Sequence, residues 1–211
     1  MHLLETLSIR GFRSIKELDN FTVGSITVLV GANGAGKSNL ISLFRMMNAV
    51  VRGGLQKYVE FEGKASTLLH YGPAHTKFMN GSLTFRSDSG LNTYRFEQAF
   101  AQVDRLIFLS EEVRFQRANT TGAQSIPIEN HQPAESALSR DLDAITQKTE
   151  LFIKRFLNKV RVFHFHDTSM TSRMRNYCDP TDARYLRAEG GNLAAVLLRE
   201  NGTLAFYQET I

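Results

Sequence analysis

Eight consecutive residues, Gly31-Ala32-Asn33-Gly34-Ala35-Gly36-Lys37-Ser38, satisfy the pattern G-x-x-x-x-G-K-[ST]. Each fixed position has a chemical reason. The three glycines let the backbone curl until several N–H groups point inward, toward the oxygens of a phosphate chain. A helix that starts as the loop ends turns the positive end of its dipole toward the same oxygens. Lys37 supplies a mobile cation for the outer phosphates, and the Ser38 hydroxyl is a ligand for magnesium. Asn39 follows on the first helical turn. The pattern predicts a P-loop, with ATP and Mg2+ as its cofactors and Lys37 facing solvent until nucleotide arrives.

Other groups carry weaker chemistry. His164, His166 and Asp167 end an apolar run, Val160–Phe165, that reads as a strand; residues two apart share a face of a strand. The two imidazoles could converge on a metal, lie near the nucleotide, or simply pack, and Asp167 is a second candidate magnesium ligand. Zinc would need three or four ligands, and no further ligand pair is evident. Leu106-Ile107-Phe108-Leu109-Ser110-Glu111-Glu112 has the outline of a Walker B strand, but Ser110 stands where the magnesium-binding Asp belongs. It reads better as an antiparallel strand entering a turn. Arg173, Arg175, Arg184 and Arg187 could meet phosphates or a partner, or be scattered charge on an exposed loop. Cys178 has no evident base beside it.

The elements that would position the loop follow from periodicity. Leu3–Arg10 reads as a strand, Gly11–Ser14 as a turn and Ile15–Val23 as a second extended stretch. Ile26-Thr27-Val28-Leu29-Val30, β-branched and apolar, reads as a strand buried on both faces and feeding the P-loop. Ser38–Arg52 is helical in pattern, with Leu40, Leu43, Phe44 and Met47 on one face and Gly53-Gly54 as the stop. Three antiparallel strands are expected at Ser82–Ser87, Asn92–Ala99 and Arg105–Phe115, the first two joined at Asp88-Ser89-Gly90. Residues 117–133 read as a loop, Ala134–Asn158 as one long helix, and Asn192–Arg199 as a helix capped by Asn192 and closed by Gly202.

The chain has 211 residues, 42% hydrophobic and 22% charged, values ordinary for a globular protein. One cysteine excludes an internal disulfide and points to a reducing cytoplasm. No apolar run approaches the roughly 20 residues of a membrane span, so no membrane partner is expected. A net charge of +4 is compatible with a polyanionic partner, of which ATP is one, and is too mild to demand nucleic acid.

The stretch Leu7–Leu40 closely resembles the start of the RecF/SMC-like branch of ABC-type ATPases. Ser8-Ile9-Arg10-Gly11-Phe12-Arg13-Ser14 is similar to that branch's opening strand and "N-F-[RK]-S" turn, with Gly11 in place of Asn. Val28–Asn39 is similar to its P-loop. Gly63–Pro73, Val162–Ser169 and Gly190–Leu198 are similar to a bacterial group of AAA family ATPases. The resemblance implies an α/β fold, a P-loop NTPase of ABC-ATPase type, with an antiparallel β layer and a helical insertion. It adds Arg13 to the nucleotide-binding residues and places His166–Ser169 where a Q-loop would lie, without the Gln.

It also implies a division of the chain: residues 1–54 as strands, P-loop and first helix, 55–120 as the antiparallel layer, and 121–211 as a helical part holding the strand 160–165. The family's second half carries a Leu-Ser-Gly-Gly signature, a Walker B Asp and a catalytic Glu. None is found here, since Leu138-Ser139 continues as Arg140-Asp141. The sequence thus reads as the N-terminal lobe of a longer ATPase, with a C-terminal half or second head as partner and catalytic residues unknown. Alternative readings are a nucleotide-binding regulatory or interaction module that never hydrolyses, and a truncated remnant. The sheet is expected to be mixed, with an apolar face or edge uncovered.

Overall fold

The computed structural model describes residues 3–120, 122–141, 147–163, 165, 169 and 171–201. The chain divides into two compact units, Met1–Val160 and Arg161–Ile211.

The first unit is built on six strands: β1 Leu3–Phe12, β2 Ile15–Thr22, β3 Phe78–Ser87, β4 Gly90–Ala101, β5 Arg105–Arg117 and β6 Ala123–Pro127, in the order β2-β1-β3-β4-β5-β6. Every pairing is antiparallel. The described sheet is therefore not the mixed one expected. Its register sorts side chains by the two-residue period of strands. Phe21, Leu7, Leu83, Tyr94, Val113 and Ile126 form one row across all six strands. The next row is Thr22, Thr6, Thr84, Thr93, Arg114 and Ser125. One face is apolar and the other polar.

The excursion from β2 to β3, residues 23–77, carries helices α1 Lys37–Val51, α2 Leu55–Phe61 and α3 Ala65–Leu68. A further helix, α4 Lys148–Lys159, packs near β4 and β5. In α1, Leu43, Met46, Met47 and Val50 recur at helical spacing and are fully buried. They join Leu7, Ile9, Phe85 and Tyr94 of the sheet and Ile153 and Leu157 of α4 in one core cluster.

A buried carboxylate holds the polar stretch after β6. Glu111, on β5, accepts hydrogen bonds from the hydroxyls of Tyr94 and Ser136, the Ala137 N–H and the Asn130 amide. Glu135 in turn accepts from the backbone N–H groups of Leu55 and Gln56, at the start of α2. A carboxylate there meets orphan donors and the positive end of the helix.

Two departures from the sequence expectations lie on either side of this network. Residues 117–133 contain β6, an edge strand whose only large inward side chain is Ile126. The single helix expected over Ala134–Asn158 is instead a 3-10 turn, Ala137–Ser139, followed after Arg140 by α4. Ser136 caps that short turn by accepting from the Leu138 N–H, and its hydroxyl is held by Glu111. Arg140 then leaves the helical region at ψ 155. Leu142 and Ile145 of the expected apolar stripe lie outside the described residues.

In the second unit, α5 Leu193–Asn201 follows the fully buried Asn192. Asn192 does not cap α5 with its side chain: its amide donates to the carbonyls of Asp182 and Tyr185 and accepts from the Arg187 N–H. Gly202 lies outside the described residues. The described positions of the expected strand Val160–Phe165, namely 160–163 and 165, form no strand. Phe163 and Phe165 stack on each other at 5.6 Å and stay partly exposed, with no ladder partner among the described residues.

Candidate functional site

The P-loop segment leaves β2 as a chain with little support. Residues 26–30, expected as a buried strand, form none: Ile26, Val28 and Val30 are 86%, 76% and 91% exposed, and only Leu29 packs against the core. A β-branched run becomes a strand only where a neighbour completes its hydrogen bonds. No strand of the described sheet flanks it.

From Gly31 the chain turns, the Ala35 N–H donating to the Ala32 carbonyl. Gly34 and Gly36 sit at φ +84° and +92°, a region costly for residues with a Cβ. α1 begins at Lys37, and no side chain caps its first turn. The open N–H groups there are donors for an anion. A Cβ on Gly34 would meet nothing within 4 Å, and one on Gly36 would lie 3.0 Å from the Ser14 hydroxyl. Ser38, the last residue of the motif, is exposed. Lys37 does not face solvent freely: its ammonium donates to the carbonyls of Gly31 and Ala32 at 2.6 and 2.7 Å. It bridges the mouth of the loop and must leave both carbonyls to reach an outer phosphate.

The turn between β1 and β2 stands beside this cradle. The Asn39 amide donates to the Ser14 hydroxyl at 2.6 Å. Arg13, at φ +50°, directs its guanidinium to an ion pair with the carboxylate of Glu62. Its backbone N–H donates to the Leu68 carbonyl, and its own carbonyl lies 2.8 Å from the His70 ring nitrogen Nδ1. Arg13, Ser14, Asn39, Ser66, Thr67, Leu69, Tyr71 and Gly72 line a cavity of roughly 590 Å3. It is a shallow groove, largely open to solvent. The sequence reading included Arg13 and Asn39; it missed Glu62, and the wall from Ser66 to Tyr71 entered it only within the Gly63–Pro73 resemblance, with no site role assigned.

The remaining candidates fall elsewhere. Glu111 and Glu112 lie in the middle of β5 rather than at a turn. Glu111 is buried in the structural network above, and the exposed side of the same strand carries Glu112. Burial first and the Glu111 charge second hold the Tyr94 hydroxyl well above the ordinary phenol value of 10.0. Arg173 pairs with Glu189, Arg187 with Asp182, and Arg184 covers the Tyr185 ring. His164, His166, Asp167 and Thr168 lie outside the described residues. Among the described residues no three His, Cys, Asp or Glu side chains group as a metal site, and no helix is long and apolar enough to cross a membrane.

A glycine-bounded loop feeding a helix, over an antiparallel sheet and its helices, defines an α/β domain of the P-loop ATPase-like class. Residues 26–182 match the family model described as "AAA domain, putative AbiEii toxin, Type IV TA system", and the chain belongs to that family. With the family comes a nucleotide-binding, ATPase-like function. No curated protein matches the chain.

Proposed function

We propose that the chain binds Mg-ATP through Gly31–Ser38, with Asn39 and Arg13 beside them, as the N-terminal lobe of a RecF/SMC-like, ABC-type ATPase. The observation that carries this reading is the cradle itself: two left-handed glycines, the open first turn of α1, Lys37 across the mouth and the exposed Ser38 at its end. These residues fit a triphosphate and its metal. Magnesium, when bound, would neutralise charge on the outer phosphates. Lys37 exchanges two carbonyls for phosphate oxygens, and Ser38 offers its hydroxyl to the metal.

Hydrolysis needs more than a cradle, because the attacking water must be oriented and the developing charge stabilised. The acid that follows the longest apolar run, Glu111, is committed to four structural donors. The exposed Ile26, Val28 and Val30 offer an extended apolar segment to further strands. Both observations favour completion by a second ATPase half. By the analogy of the resemblance alone, nucleotide-driven pairing of heads would then serve DNA repair or phage defence. The test is steady-state phosphate release from the purified chain, with Lys37→Ala as the control for contaminants. Negligible turnover is expected; turnover near once per second that vanishes in the mutant would overturn the need for a second half.

A further inference from the structure

The cavity beside the cradle has one wall that phosphate binding does not use. Tyr71 is 79% exposed. It leans on His70, with centroids 4.4 Å apart at 58°, and meets His75 edge-on at 6.3 Å and 71°. The backbone beneath it is left-handed at two successive residues, φ +55° at Tyr71 and +77° at Gly72. A bulky side chain there is an outlier that the surroundings must enforce.

The neighbouring residues are tied down. His70 is tied through its N–H to the Gly11 carbonyl and through its ring to that of Arg13. Leu69 bridges to Phe12, and the Asp104 carboxylate holds the N–H and hydroxyl of Ser66. An exposed aromatic face carried on backbone whose neighbours are tied down is suited to stacking a planar ligand. The groove it borders also takes in Ser14 and Asn39, which adjoin the P-loop at Gly36 and the first turn of α1.

We infer that Tyr71 is the base-stacking wall of the nucleotide site. The inference rests on the P-loop reading and goes beyond it: the cradle recognises phosphates, and Tyr71 recognises the planar nucleobase. Stacking a base on an aromatic side chain contributes enough to change affinity about tenfold.

The purified chain tests this with two probes, Mg-ATP and Mg-tripolyphosphate, titrated calorimetrically. Wild type should bind ATP about tenfold tighter than tripolyphosphate. Tyr71→Ala should lose that factor for ATP and leave tripolyphosphate unchanged, while Tyr71→Phe keeps the wild-type preference. Because the chain has no tryptophan, Tyr71→Trp gives a single reporter. Its emission should be quenched by ATP and not by tripolyphosphate. Unchanged ATP affinity in Tyr71→Ala, or no quenching in a Tyr71→Trp protein that still binds ATP, overturns the stacking role and leaves the cradle standing. Wild type that binds neither probe overturns both.

Discussion

Glu111 and Lys37 are each held by hydrogen bonds, and they stand at opposite extremes of the same unit. Glu111 is buried, with four donors from β4 and the segment 130–137 converging on it. Lys37 bridges two carbonyls of its own loop at the surface, on a segment whose lead-in is almost wholly exposed. The first arrangement would lose its donors' partner if the carboxylate moved. The second loses little by rearranging. The contrast teaches that the acid resembling a catalytic group secures the fold, while the lysine that adds little to the fold is free to exchange partners with a ligand.

The largest effect expected follows from Glu111. Glu111→Ala strands four donors, including a fully buried phenol, and should cost about 3–5 kcal/mol. That is a fall of roughly 10–15 °C in melting temperature, read by calorimetry. A loss as small as a surface substitution would mean the network is not structural.

Next comes the ligand. Mg-ATP at a hundred times its Kd should add about 2.7 kcal/mol, a rise of roughly 5–10 °C. Lys37→Ala should abolish most of that rise. It should also lower the unliganded melt slightly, within about 1 kcal/mol, because two carbonyl partners are lost. An equal rise in wild type and mutant would remove Lys37 from the site.

A pH series sharpens the Glu111 side. Folding raises the Tyr94 pKa, so Tyr94 adds stability that is full below its unfolded value and is lost as pH climbs toward the folded one. Wild-type melting temperature should therefore fall as pH passes about 10, the unfolded phenol value. Tyr94→Phe, less stable at neutral pH, should fall less steeply; parallel curves would show that the phenol is not the titrating group. The smallest change belongs to the loop's lead-in. Val28→Ser should shift stability by no more than about 0.5 kcal/mol and reduce self-association in light scattering. A large destabilisation would mean that residues 26–30 are packed in solution.

The same contrast governs what the sequence made legible. The Gly31–Ser38 loop, α1 and the hairpin at Asp88-Ser89-Gly90 could be read because their determinants are local: glycine positions, helical spacing and a turn. The strand expected at Ile26–Val30 failed because a strand also needs neighbours, which composition does not supply. β6 was hidden because an edge strand needs one row of partners and one inward residue, here Ile126. The helix expected across Ala134–Asn158 broke at Ser136 because of Glu111, a side chain 25 positions away. The wall at Tyr71 was invisible for a similar reason. It is held by contacts of residues 68–70 with 11–13 and of Ser66 with Asp104.

The pairing of β1 with β3 has a consequence for kinetics. β1 with β2, and β3 through β6, are each joined by short connections and can form locally, within microseconds for an isolated hairpin. Bringing β1 beside β3 closes the whole excursion of residues 23–77, the costly step of long-range pairing. The P-loop and the Tyr71 wall both lie inside that excursion, and both acquire their surroundings only when it closes. Nucleotide should therefore act after the rate-limiting event of assembly. It should slow unfolding in proportion to its occupancy and leave the refolding rate in water unchanged.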